Sequence, residues 1–164
     1  MDNIAILVAT PADAEFLVRG NAEMALETEH LSLDFDRLRD GVHAVFENPA
    51  RGVYYLAMVG SRRAGMMMIT YEWSDWRNGV FWWIQSVFVE PTFRSRGVFK
   101  SLYKHVGDLA KATPGVAGLR LYVENSNSRA QNTYQRVGMK RTAYQMFESD
   151  FILGGQSESQ ISQT

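Results

Sequence analysis

The 164-residue chain contains no cysteine. That excludes disulfides, thiolate metal sites and a cysteine nucleophile, and it suits a reducing, cytoplasmic setting. Neither sign of charge dominates: 17 basic against 18 acidic residues leave a net charge of -1. No general basic field is therefore present to draw nucleic acid; only Arg94, Arg96, Lys100 and Lys104 form a local basic group. No apolar run approaches the roughly 18 residues that a bilayer-spanning helix takes. Met1-Asp2-Asn3-Ile4 lacks the charged and apolar regions of a secretory leader. His30, His43 and His105 are scattered without metal-ligand spacing, so no metal is expected. The GxxxxGK[ST] phosphate loop is missing as well.

What is present is 46% hydrophobic and 21% charged, the balance of a globular domain large enough to bury a core without staples. Residues 1–150 read as a single domain, and the polar, serine- and glutamine-rich residues 151–164 as a flexible tail. Ile4 to Ala9 reads as a strand. Thr10 and Pro11 then open a helix from Ala12 to about Met24, Thr10 as N-cap and Pro11 at the first helical position. A second helix runs from Asp34 to Glu47, with Phe35, Leu38, Val42 and Phe46 on one face. Three strands joined by short turns follow: Val53–Val59, Gly65–Trp73 and Val80–Val89, an antiparallel meander. A helix after Gly97 puts Val98, Leu102, Val106 and Leu109 on one face. The strand Leu119–Val123 then returns parallel to Val80–Val89, as a strand–helix–strand crossover requires. Asn127–Val137 reads as a helix closed by Gly138, and Thr142–Glu148 as a last strand.

The segment from Val87 to Lys100 carries the strongest functional signal. A strand ends at Pro91, and Arg94-Ser95-Arg96-Gly97 leads into a helix. The first amides of a helix have no partner within it and lie at the positive end of its dipole, so this is a place for an anion such as a pyrophosphate. Glycine lets a phosphate approach the backbone, and the arginines add charge. The same residues also read as an ordinary strand–turn–helix with exposed arginines.

The order of elements, with this glycine turn and a further helix after the next strand, resembles the GNAT superfamily of acetyl-CoA-dependent N-acyltransferases from about Ile4 to Glu148. The family's phosphate loop runs Arg/Gln-x-x-Gly-x-Gly/Ala, and here it is Arg94-Ser95-Arg96-Gly97-Val98-Phe99, with Phe99 in place of a small residue. The family's later signature is matched by Asn127, Ala130, Tyr134 and Gly138, with Met139 where an aromatic is usual. The resemblance implies an α+β fold: a mixed, mostly antiparallel sheet with splayed parallel central strands and about four helices. It implies acetyl-CoA as co-substrate and direct attack by a primary amine of a small molecule or a protein, in a ternary complex. It also allows a non-catalytic acyl-CoA-binding or regulatory module. In this reading the backbone of Val87, Phe88 and Val89 contacts pantetheine. The amides of Arg96, Gly97, Val98, Phe99 and Lys100, with Arg94, hold the pyrophosphate. Asn127 and Ala130 meet the pantetheine arm, and Tyr134 protonates the leaving thiolate.

Physical readings of the same residues stand beside these. Asn127 is equally an N-cap. Tyr134 is equally a core residue on the Ala130/Tyr134/Val137 face, although a phenol stays protonated at neutral pH and can donate. Several family members carry a carboxylate where this chain has Gln85, which cannot act as a base. Glu72 and Asp75 are then the leading base candidates, with Glu27, Glu29 and Glu90 as others. Tyr71, Trp73, Trp76, Trp82 and Trp83 interleave with Glu72 and Asp75, which suits either a cleft for a cationic amine or a packed aromatic sheet. Trp82 and Trp83 must face opposite sides of their strand. An exposed strand near the C-terminus is compatible with a homodimer. Sequence leaves the acceptor, the acyl-chain length and the oligomeric state open.

Overall fold

A computed structural model describes residues 3–153. Five strands form one sheet in the order β1 (Ile4–Val8), β2 (Val53–Val59), β3 (Arg62–Ser74), β4 (Gly79–Val89) and β5 (Val116–Arg120). Neighbours from β1 to β4 run antiparallel, and β4 pairs with β5 in parallel. The helices are α1 (Ala14–Glu29), α2 (Phe35–Glu47), α3 (Val98–Ala112) and α4 (Ser128–Arg136).

Alternation along the strands sends side chains to two cores. On one face Tyr54, Leu56, Met66 and Phe88 pack with Leu17 and Val18 of α1 and Val42 and Val45 of α2. On the other, Tyr55, Ala57, Met67, Ile69 and Ile84 pack with Val98, Leu102 and Val106 of α3. α1 comes close to the sheet at Gly20, where a Cβ would lie 2.9 Å from the Phe88 ring and 3.0 Å from Met66 Cε. The N-terminal entry differs from its sequence reading. Thr10 opens a short 3₁₀ turn over Pro11–Asp13, and the α-helix begins only at Ala14. Asp13 explains this turn: its Oδ2 accepts from Thr10 N at 2.8 Å and its Oδ1 from Arg63 Nε at 2.8 Å, tying the turn to β3.

Two irregularities in β4 prepare the site. Met66 opposes Phe88 but Met68 opposes Gln85, so β4 carries one extra residue, a β-bulge. Ser86 sits there at φ 47°, in the left-handed region. The side chains of Asn21 and Ser86 hydrogen-bond the buried Tyr54 hydroxyl, which holds the bulge from below. Second, the β4–β5 ladder runs only from Val80↔Val116 to Trp83↔Arg120. β4 then continues to Val89 while β5 has ended, and the two strands part.

The expected last strand, Thr142–Glu148, does not form. Residues 142–148 pair with no strand among the described residues, and every residue from 140 to 152 is exposed. An alternating pattern makes a strand only where a neighbour supplies hydrogen bonds and a face to pack on. Of the expected tail, residues 154–164 lie outside the described residues.

Candidate active site

The parting of β4 from β5 opens a cleft of about 1100 Å³. One wall is β4 from Ile84 to Val89, another the chain from Leu121 to Glu124, a third α4, and the end of α1 closes the far side. Beyond Trp83 no ladder from β5 reaches β4. Backbone groups on that side of the strand lack the partner a sheet would give, and such groups pair with whatever donor or acceptor arrives. An extended ligand carrying amides fits this edge as an added strand would.

The start of α3 lies at one end of the cleft. Gly97 is its N-cap at φ 87°, and Ser95 before it is also left-handed, at φ 63°. The first helical hydrogen bond is Ser101 N donating to Gly97 O at 2.9 Å. The amides of Val98, Phe99 and Lys100 therefore precede the helical ladder, and all three residues line the cleft. An added Cβ at Gly97 would meet nothing within 4 Å. The glycine is there for its backbone angle and for the open approach it leaves to a ligand.

Arg94 and Arg96 have distinct places. Arg94 lines the cleft but is engaged: its Nε donates to Val89 O at 3.0 Å and its Nη2 to Glu27 Oε2 at 2.8 Å. It ties the end of α1 to the end of β4. Arg96 is not part of the lining; its guanidinium lies 5.3 Å from the Phe93 ring centre.

Asn127 caps α4, its Oδ1 accepting from Ala130 N at 3.0 Å, and both residues line the cleft. Tyr134 does too, partly buried, and burial pushes its hydroxyl pKa above the ordinary phenol value. Phe99 stands edge-on to Tyr134, ring centres 5.6 Å apart. The bulky residue in the loop thus serves as a brace between α3 and α4.

The carboxylates sort differently from their order in sequence. Glu72 and Asp75 are outside the cleft lining. Glu72 accepts from Arg120 Nη1 at 2.8 Å and from Trp83 Nε1, and Arg120 in turn lies 3.7 Å from the Phe81 ring centre. Strand alternation puts this cluster on the face of the sheet that also bears Met66 and Met68. Asp75 sits in the turn between β3 and β4, where its Oδ1 accepts from Trp76 N. Glu90 pairs with Arg19. Glu27 and Glu29, by contrast, line the cleft, because α1 runs on past Met24 to Glu29. Helix length was the missing clue: Thr28 and Glu29 read as loop, yet polar residues also end an exposed helix face. Tyr122, opposite, was not singled out from sequence. Its hydroxyl pKa is raised, first by burial and then by the nearby charges of Glu29 and Glu148. Trp82 and Trp83 do face opposite sides, Trp82 toward Tyr71 and Trp83 toward Tyr122.

Comparison with known proteins agrees with this geometry. The profile of the Acetyltransferase (GNAT) family matches residues 21–139, from the middle of α1 to the end of the α4 cap. This chain belongs to the GNAT acetyltransferase family. The acyltransferase is 29% identical over 138 residues to the thialysine N-epsilon-acetyltransferase of Caenorhabditis elegans, covering 84% of this chain and 83% of that protein. It superposes with a TM-score of 0.85 on a possible acetyltransferase from Clostridium difficile 630, at 38% identity and covering 91% of this chain and 98% of that one. It shares its fold with a predicted acetyltransferase from Clostridium acetobutylicum solved with acetyl-CoA, at 15% identity, a TM-score of 0.73 and coverage of 90% and 96%. Among the described residues no cluster of metal-ligating side chains occurs, and no helix is long and apolar enough to cross a membrane.

Proposed function

We propose that this acetyltransferase moves the acetyl group of acetyl-CoA to the primary amine of a small cationic acceptor, by direct attack in a ternary complex. The observation that carries this reading is the juxtaposition in one cleft of an unpaired strand edge, a helix start and a partly buried phenol. Pantetheine pairs with the backbone of Val87 to Val89, and the pyrophosphate takes the amides of Val98, Phe99 and Lys100. The amide at Val89 is the donor proposed for the carbonyl oxygen as charge develops there. The neutral amine nitrogen attacks the thioester carbon, the C–S bond breaks, the thiolate takes the proton of the Tyr134 hydroxyl, and the proton lost by the acylated nitrogen restores the phenol through solvent. Burial suits Tyr134 to that role, since it keeps the phenol protonated until the thiolate forms.

The attacking amine must first lose a proton. Glu29 is the carboxylate assigned to draw the ammonium in and accept that proton, directly or through water. Glu27 is already held by Arg94, and Glu72 and Asp75 lie outside the cleft. Tyr122 adds a ring to the lining on the same side, backed by Trp83 at 6.1 Å between ring centres, and a ring suits a cation. The thialysine acetyltransferase of C. elegans, by its name, acts on a side-chain amine of this kind.

The test is a panel of amines assayed for thiol release from acetyl-CoA, beside a thermal-shift titration with coenzyme A. Amine-dependent release together with a coenzyme A shift supports the reading. A shift without release from any amine would favour a non-catalytic acyl-CoA-binding module. Absence of both would reject the cleft as the site.

A further inference from the structure

A left-handed residue and two buried polar side chains meet beneath the edge of β4 that faces the cleft. Ser86, at φ 47°, lines the cleft, and so do the next three residues, Val87 to Val89. A side chain gains nothing from that angle, and such a conformation persists only where the surroundings hold it. The hold comes from across the sheet. The Tyr54 hydroxyl bonds the side chains of both Ser86 and Asn21, and Tyr54 and Asn21 are each 5% exposed. Asn21 is itself fixed, its Nδ2 donating to Leu17 O in α1 at 2.9 Å.

The register shows why a tyrosine stands there. Tyr54 opposes Met68, and Met68 opposes Gln85, the neighbour of Ser86. Tyr54 is therefore two strand spacings from the bulge, about 10 Å, a gap that a long side chain ending in a hydroxyl can cross. Phenylalanine would fill the same space and bond nothing. Beyond Trp83 the strand is paired to β3 alone, so no ladder on its other edge stops the extra residue from migrating along it. The other end of the link is α1, which carries Glu27 and Glu29 into the cleft. The surrounding contacts of Leu17, Met66 and Phe88 are apolar, and apolar packing has no direction. Hydrogen bonds do, and these run from a backbone carbonyl of the helix to the extra residue of the strand.

We propose that Tyr54 and Asn21 are positioning residues for the acetyl transfer: through Ser86 they pin the bulge, so that the edge from Val87 to Val89 meets the cofactor already ordered and in register with the carboxylates of α1. The inference rests on the placement of pantetheine along that edge. Neither residue touches a ligand; each acts through Ser86. A loosened bulge must be ordered again by whatever binds beside it, and that cost is lost from the affinity. A fully satisfied buried network avoids the cost by holding one arrangement.

The test is calorimetric titration of the full chain with coenzyme A, beside a thermal melt. Tyr54→Phe is expected to weaken binding about tenfold, the scale of one buried hydrogen bond. Ser86→Gly removes the hydroxyl yet suits the angle better than serine does, and it is expected to weaken binding to a similar extent. The double variant is expected to bind no more weakly than either single one, because both break the same link. Val42→Ala empties a site that is 1% exposed, in the same core but outside the cleft lining. It is expected to lower the melting temperature and leave the affinity unaltered. Parental affinity in Tyr54→Phe or in Ser86→Gly would overturn the inference. So would additive losses in the double variant, or an equal loss in Val42→Ala, which would reduce the network to general stability. A parent that binds no coenzyme A would reject the cleft itself, and the inference with it.

Discussion

The chain up to Ala110 and the chain after it contain similar residues and treat them differently. The first part seals both faces of the sheet: Leu17, Met66, Met67, Ile69, Leu102 and Val106 are each fully enclosed. From Lys111 to Leu153 no residue reaches that state, although Leu119, Leu121, Tyr122, Tyr134, Val137 and Phe147 are as apolar as anything in the core. The difference teaches where stability and chemistry are separated. The first part supplies the rigid floor, ending in β4 and the start of α3. The second supplies the facing wall, with Tyr134, Asn127 and Tyr122, and none of its described residues is fully buried.

The sharpest way to test that separation is Tyr134→Phe. Only a hydroxyl is lost, so stability is expected to change by less than about 1 kcal/mol, while turnover falls about 10²–10⁴-fold if the phenol is the general acid. Steady-state rates and a urea melt on one preparation decide it. Unaltered turnover with chemistry rate-limiting would return Tyr134 to packing. Because burial raises its pKa, the wild-type rate should keep any loss from phenol ionisation on the alkaline side of about 10.

A paired truncation compares the two parts directly. Leu102→Ala removes a side chain with no exposure and is expected to cost about 2–5 kcal/mol. Leu121→Ala, in the half-buried cleft wall, is expected to cost about 1 kcal/mol or less within one chain. Equal midpoints in urea would show that the second part is as tightly packed as the first.

Asp13 sharpens the contrast from the side of charge. Although burial alone would raise its pKa, the bonds from Thr10 and Arg63 prevail and hold it below the ordinary carboxylate value. A depressed folded-state pKa contributes stability that is present above the unfolded value of 3.8 and is lost as pH falls through the folded value. Asp13→Asn should cost about 2 kcal/mol at neutral pH and flatten the acid end of the stability profile below about 4. A parallel profile in the variant would mean that Asp13 contributes nothing to it.

The smallest effect is expected at the positions that sequence put forward as the base. Glu72→Gln with Asp75→Asn should leave kcat within about twofold and alter stability by about 1 kcal/mol or less, as for an exposed ion pair. A drop of a hundredfold in kcat, read in the thiol-release assay, would bring that cluster back into the chemistry.

Much of the floor was legible from residues. β2 begins and ends where Gly52 and Gly60 bound an apolar run, and Asn127 caps α4 as its residue type suggests. The glycine turn before α3 could be read because few residues adopt the angles it needs. What failed was whatever depends on partners distant in sequence. Glu72 and Asp75 adjoin aromatic residues along the chain, but alternation and a turn send them to other surfaces. Glu27 and Glu29 joined the site only because α1 is longer than its apolar pattern. The pattern at 142–148 announced a strand without a neighbour, and a strand is defined by its neighbour.

The bulge at Ser86 works on β4 as a frameshift works on a message. Up to Gln85 odd-numbered residues face α1; after the inserted residue the even-numbered Phe88 does. Deleting Ser86 would close the bulge with Val87 opposite Met67 and Phe88 still opposite Met66, so every downstream side chain would keep its face, but Tyr54 would be left without one of its two hydroxyl partners. The residue out of step stands close to where β4 changes its company: upstream the strand is paired on both edges, and downstream on the β3 edge alone.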